Sequence, residues 1–166
     1  MELKEITHLI TNGAESLNIN KWDFGASFSN DFSVQVDKGI AKQLKASQKQ
    51  VLTLRVWNNK NLVGITTTSD LSENGLKKAL YQANLASEYG NKNELTDFSP
   101  LAKDPIETMK VVKRSPSGIK KLLEKLRIAE NELLNKHSAI KSIPYNGLSE
   151  SFFKRIYANS LSLIHI

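Results

Sequence analysis

The sequence predicts an α+β protein: a helix, a five-stranded antiparallel meander and a second helix, followed by the helix and two strands of an incomplete second α+β domain. Three observations predict it. Apolar residues recur every three to four positions at the start, every second position from Trp22 to Thr67, and every three to four again after Asp70. Polar and glycine-containing clusters interrupt the period-two stretch at short intervals, which suits hairpins rather than crossovers. The 166 residues are 40% apolar and 24% charged, an ordinary globular mixture with enough chain for a core.

The elements follow in order. Leu3, Ile6, Ile10, Ala14 and Leu17 share one face of a first helix from about Glu2 to Leu17. Trp22, Phe24, Ala26 and Phe28 alternate with polar partners as a half-buried strand does, and Ser29-Asn30-Asp31 reads as a turn. Phe32, Val34 and Val36 form the next strand, closed by Lys38-Gly39. Ile40, Leu44 and Ala46 alternate weakly because Lys42 shares their parity. Leu52, Leu54 and Val56 make a fourth strand, Asn58 to Asn61 a hairpin loop, and Val63, Ile65 and Thr67 a fifth. Ser72 is a candidate N-cap for a helix carrying Leu76, Ala79, Leu80, Ala83 and Ala86 on one face. Two helices on one face of a meander make a domain of residues 1–90.

Residues 91–114 hold no period and contain Pro100 and Pro105, the composition of a linker. Ser115-Pro116 then suits the N-cap and first position of a third helix. Its expected apolar stripe is Ile119, Leu122, Leu123, Leu126, Ala129 and Leu133. Lys120, Lys121, Glu124, Lys125, Arg127, Glu130 and Glu132 are expected on its wet side. Ile140–Ser149 and Phe152–Asn159 read as two strands. One helix and two strands do not close a core, so residues 115–160 read as an incomplete middle domain.

Charge and composition exclude several classes. Cysteine is absent, which removes disulfides, thiolate nucleophiles and Cys-based metal sites. No apolar run is long enough to span a bilayer, and Met1 to Glu5 lack a signal peptide's apolar stretch, so a cytoplasmic protein without membrane contact is expected. The net charge of +6 lies wholly past residue 100: residues 1–100 carry 11 basic and 11 acidic side chains, residues 101–166 carry 12 and 6. Lysine outnumbers arginine 19 to 4, whereas arginine is the residue suited to bidentate phosphate recognition. This distribution favours a solvated lysine-rich surface over a nucleic-acid footprint.

No catalytic constellation is legible. His8, His137 and His165 are scattered, with no two within a helical turn, and His8 and His137 read as surface residues. Glu130 and Glu132 diverge by about 200° on a helix and are not a paired acid and base. Ser115 and Ser117 are explained by capping, and Trp22, Phe24 and Phe28 by core packing rather than base stacking. Gly-rich phosphate loops and a Gly-x-Ser-x-Gly elbow are missing from the sequence. The expected sets of catalytic, cofactor-binding and metal residues are therefore all empty.

Several segments nevertheless resemble the TldD/PmbA (TldE) family in their order and spacing. They are Val36-Asp37-Lys38-Gly39-Ile40, then Leu54 through Gly64, then Thr66-Thr67-Thr68-Ser69-Asp70-Leu71-Ser72 with the Ala-rich helix to Ala86. Ser115-Pro116 and Arg155-Ile156-Tyr157-Ala158-Asn159-Ser160 continue the likeness. Lys38-Gly39-Ile40-Ala41 stands where the family has an acidic pattern, and Thr66 to Thr68 where it has smaller residues, which is closer to the PmbA side. The resemblance implies an N-terminal domain and the start of a middle domain, part of a cytoplasmic two-subunit chamber that degrades unfolded peptides. It implies zinc in the TldD-type subunit, on a His-Glu-x-x-x-His helix that has no counterpart here, activating water for attack on a peptide carbonyl. The implied partners are a TldD- or PmbA-type subunit and an unfolded peptide. Two alternatives stay open: a catalytically silent PmbA-type subunit, and a small basic nucleic-acid-binding module. Leu161 to Ile166 read as an adapter-derived tail, which would make the chain a truncated fragment.

Overall fold

The computed structural model describes residues 3–91, 97–99, 102, 115–161 and 163–164. Its elements are α1 (Leu3–Ser16), β1 (Lys21–Asp37), β2 (Ile40–Trp57), β3 (Val63–Thr68), α2 (Glu73–Ser87), α3 (Gly118–Leu134), β4 (Gly147–Asn159) and β5 (Leu163–Ile164). The strands form one sheet in the order β3-β2-β1-β4-β5. The α+β class expected from the sequence is the class observed. Most of the linker expected at 91–114 lies outside the described residues. So do three positions of the stretch read as a tail, 162, 165 and 166; Leu163 and Ile164 pair with Ala158 and Tyr157.

The strand count differs from expectation, and the reason is physical. Over residues 1–90 three strands replace the five-stranded meander: the first two expected strands are one (β1), and so are the third and fourth (β2). Trp22, Phe24, Ala26, Phe28, Phe32, Val34 and Val36 all have even numbers, so the period passes unbroken through Ser29-Asn30-Asp31. That polar cluster is stitched by side chains instead, the Ser29 and Ser47 hydroxyls each donating to Asp31 Oδ2 at 3.4 Å. The true turn is Lys38-Gly39, with φ of 50° and 73°, the left-handed pair that a two-residue hairpin demands. At the other hairpin, Asn58 Oδ1 accepts from the N–H groups of Lys60 and Leu62. The two strands expected at 140–149 and 152–159 are likewise one, β4. Pro144 has no N–H to give a ladder, and Tyr145 has a φ of 61°, so residues 140–146 stay outside it.

Two compact units divide the described residues. The first draws on Met1–Ser27, Gln50–Lys110 and Arg155–Ile166, the second on Phe28–Lys49 and Val111–Lys154. In the first unit Trp22, Phe24 and Ala26 of β1 and Leu52, Leu54 and Val56 of β2 are buried with Ile6, Ile10 and Ala14 of α1. Leu76, Ala79, Leu80 and Ala83 of α2 complete this core. Each fully buried leucine contributes about 1.5–3 kcal/mol. Ser72 caps α2 as expected, its hydroxyl accepting from Gly75 N–H at 3.1 Å. Helix α2 packs on β3, and Gly64 sets how closely: a Cβ there would stand 1.8 Å from the Ala83 carbonyl oxygen and 2.5 Å from Ser87 N.

In the second unit α3 lays Leu122 and Leu126 on Val34 and Val36, with Phe32, Ile119, Leu123 and Leu148 around them. The helix starts at Gly118 and not at Ser115-Pro116. Ser117 holds the N-cap place without a side-chain capping bond, and its own N–H donates to Glu150 Oε2 at 2.8 Å. Ala129 and Leu133, expected on the packed stripe, are exposed.

Glu130 corrects the expectation of a wet position. It is only 2% exposed, and its carboxylate accepts from Lys38 N–H at 2.9 Å and Gly39 N–H at 2.7 Å. One turn earlier, Arg127 Nε donates to the Gly39 carbonyl at 2.9 Å. A left-handed two-residue turn points adjacent N–H groups the same way, and a buried carboxylate satisfies both.

Candidate functional site

Because side chains alternate across a strand, burying the even positions of β1 and β2 in the first unit leaves the odd ones on the opposite face. Asp23, Gly25, Thr53 and Arg55, with Phe24 and with Tyr157, Ala158 and Asn159 of β4, line a shallow groove of about 300 Å³. Gly25 leaves room for the Tyr157 ring, since a Cβ there would come within 3.0 Å of Tyr157 Cε1. The Thr53 and Thr67 hydroxyls, cross-strand partners between β2 and β3, lie 3.2 Å apart.

The groove's charges are paired across strands. Arg55 grips Asp23 with both arms of its guanidinium, Nε to Oδ1 at 2.8 Å and a second bond from the terminal nitrogen to Oδ2. That hydrogen bond raises the Arg55 pKa above its already high range, so the cation persists at every working pH. The guanidinium also sits 5.3 Å from the centre of the Trp57 ring, and Lys21 sits 5.0 Å from the same ring and 5.2 Å from Phe98. Phe98 meets Trp57 edge-on at 5.0 Å. Lys21 also pairs with Asp97 and holds that carboxyl below the usual range, helped by the Phe98 N–H at 2.6 Å.

Both Asp23 oxygens are engaged by Arg55, so this carboxylate positions the guanidinium. The face offers fixed cations, rings and hydroxyls, a set suited to holding a chain. Among the described residues, no three His, Cys, Asp or Glu side chains come together as metal ligands, so they do not fit a zinc centre.

The residues singled out from the sequence are not brought together. His8 is exposed and shares a 3.1 Å hydrogen bond with Asn12, and His137 is exposed and accepts from Ala139 N–H at 3.1 Å. His165 lies outside the described residues. Glu130 is buried and Glu132 exposed, so they do diverge. Trp22 and Phe24 are core residues with near-parallel rings 6.2 Å apart. Phe28 is only half-buried, with Lys154 5.8 Å from its ring centre. Asp23, Arg55 and Tyr157 are not legible as a group in the sequence. Their only signal is opposite charge at odd positions of strands whose even positions are apolar.

Residues 22–83 match the family described as PmbA/TldA metallopeptidase domain 1. This stretch, 62 of the 166 residues, carries the likeness to the TldD/PmbA family. That family is metallopeptidase-related, and the matched residues run from β1 into α2. Solved structures share the fold. A candidate modulator of a DNA gyrase from Thermotoga maritima superposes with a TM-score of 0.70 at 17% identity, over 98% of this chain and 36% of that one. TldE from Thermococcus kodakarensis gives 0.70 at 17%, over 96% and 35%. A candidate modulator of DNA gyrase from Bacteroides thetaiotaomicron gives 0.69 at 14%, over 96% and 37%. The chain thus spans just over a third of the length of these solved structures. No curated protein sequence matches it. Among the described residues, no helix is long and apolar enough to cross a membrane.

Proposed function

We propose that this chain is a first-domain wall of a cytoplasmic two-subunit peptidase chamber, in which a TldD- or PmbA-type partner completes the enclosure and unfolded peptide is the substrate. The observation that carries the reading is the match of residues 22–83 to the first domain of a metallopeptidase family. Hydrolysis belongs to a zinc site outside the described residues, which offer no ligand set for it. The role left to this chain is enclosure and peptide contact. The open face around Arg55, Thr53 and Tyr157 supports it, because fixed donors beside an aromatic ring can hold an extended backbone without cutting it. We also propose residues 1–90 and 115–160 as the first domain and the start of the middle domain.

The test is co-expression of the complete reading frame with a TldD- or PmbA-type partner. Co-purification and zinc-dependent cleavage of an unfolded peptide are expected. Zinc-independent cleavage, or no association, overturns the reading. Whether the subunit is the TldD or the silent PmbA type is decided by the presence or absence of His-Glu-x-x-x-His in that frame.

A further inference from the structure

Strand β2 is 18 residues long, yet β3 pairs only with Leu52 to Trp57. The sheet order puts no other strand on that side, so among the described residues Ile40–Lys49 presents an open edge. Ten residues at about 3.3 Å each make an edge of about 33 Å, with alternate N–H and C=O groups facing outward. The side chains are as open as the backbone: Ile40 is 63% and Leu44 50% exposed, and only Ala41 is half-buried. The segment holds Lys42, Lys45 and Lys49 and no acidic residue.

An open edge is a template for another strand, and its charge selects which one. Lys42 is answered by Asp37, 3.5 Å away, but a second copy of this chain would still crowd Lys45 and Lys49 of both copies into the same span, at a cost for each like-charged neighbour. The stretch from 40 to 49 therefore disfavours self-pairing and favours an acidic partner. We propose that the β2 edge at Ile40–Lys49 takes up, by strand addition, an extended segment of a partner protein in which acidic residues alternate with apolar ones. The backbone supplies affinity, the lysines select for Asp and Glu, and Ile40 and Leu44 bury the partner's apolar positions. Nothing in this inference depends on the peptidase reading.

The probe is a ten-residue peptide alternating Glu with Val, compared with its Lys–Val counterpart, on the intact chain. We expect the Glu peptide to bind at least about tenfold more tightly near 50 mM salt, to weaken as salt rises, and to slow amide hydrogen exchange at Ile40–Lys49. Lys45→Glu with Lys49→Glu, both exposed, should reverse the preference while leaving the circular dichroism spectrum unchanged. Equal binding of the two peptides, protection elsewhere, or no binding overturns the proposal. Protection of Ile40–Lys49 that grows with protein concentration in the absence of peptide also overturns it, since a second copy would then be the occupant.

Discussion

The two halves of β2 are a controlled comparison inside one strand. From Leu52 to Trp57 the even positions are sealed: Leu54 is 0% exposed, beneath two helices' worth of apolar side chains. From Ile40 to Lys49 the alternation weakens, Lys42 sharing the parity of Ile40 and Leu44, and Leu44 is 50% exposed. The core of the second unit is built from β1, α3 and Leu148, without any β2 residue. Alternation therefore states which face of a strand is apolar. Whether that face is buried depends on the elements that cover it.

Four perturbations would break or sharpen this comparison. The largest effect is expected at Gly64, where an added Cβ meets backbone atoms that have no rotamer to escape into. Gly64→Ala should cost about 4 kcal/mol or more in urea denaturation, and a neutral result would mean that α2 does not lie on β3 as described. Next, Leu54→Ala should cost about 3 kcal/mol and Leu44→Ala less than about 0.5. Equal costs would show that the Ile40–Lys49 half is covered in solution. Third, Glu130→Ala strands the Lys38 and Gly39 N–H groups and should cost about 2 kcal/mol, read as faster amide exchange within Phe28–Lys49 while the first unit keeps its protection. Fourth, Ser72→Ala removes one cap and should cost about 1 kcal/mol.

Acid should act on the first unit at the start of α2. Asp70 is held below the ordinary carboxylate range by hydrogen bonds from Ser72, and Glu73 by its bond with Lys77. A depressed folded pKa means stability that is present above the unfolded value and lost as pH falls through the folded one. Exchange at the start of α2 should therefore quicken as pH drops below the ordinary Asp and Glu range. An unchanged rate there would contradict these bonds.

Legibility followed the range of the interactions. Helices α1 and α2, the Ser72 cap and the Lys38-Gly39 and Asn58–Asn61 turns rest on neighbours a few residues apart, and each could be read from the chain. Ser29–Asp31 has the polar composition of a turn but not the left-handed backbone of Lys38 and Gly39 that a hairpin needs. The burial of Glu130 was not legible at all. Its reason is a pair of N–H groups 91 and 92 residues away, invisible to any local period. The Asp23–Arg55 pair, 32 residues apart on neighbouring strands, was hidden for the same reason.

That separation between Glu130 and the hairpin it fastens gives the chain a timetable. At ribosomal rates of about 5–20 residues per second, residue 130 follows residue 38 by roughly 5 to 20 s. Throughout that interval the hairpin tip exists with its two N–H groups open to water, and its strands are held by one another alone. The first unit's apolar residues up to Ala83 are already synthesised by then. A nascent chain stalled before residue 130 should expose the Lys38-Gly39 tip to proteolysis, and one stalled after α3 has emerged should protect it.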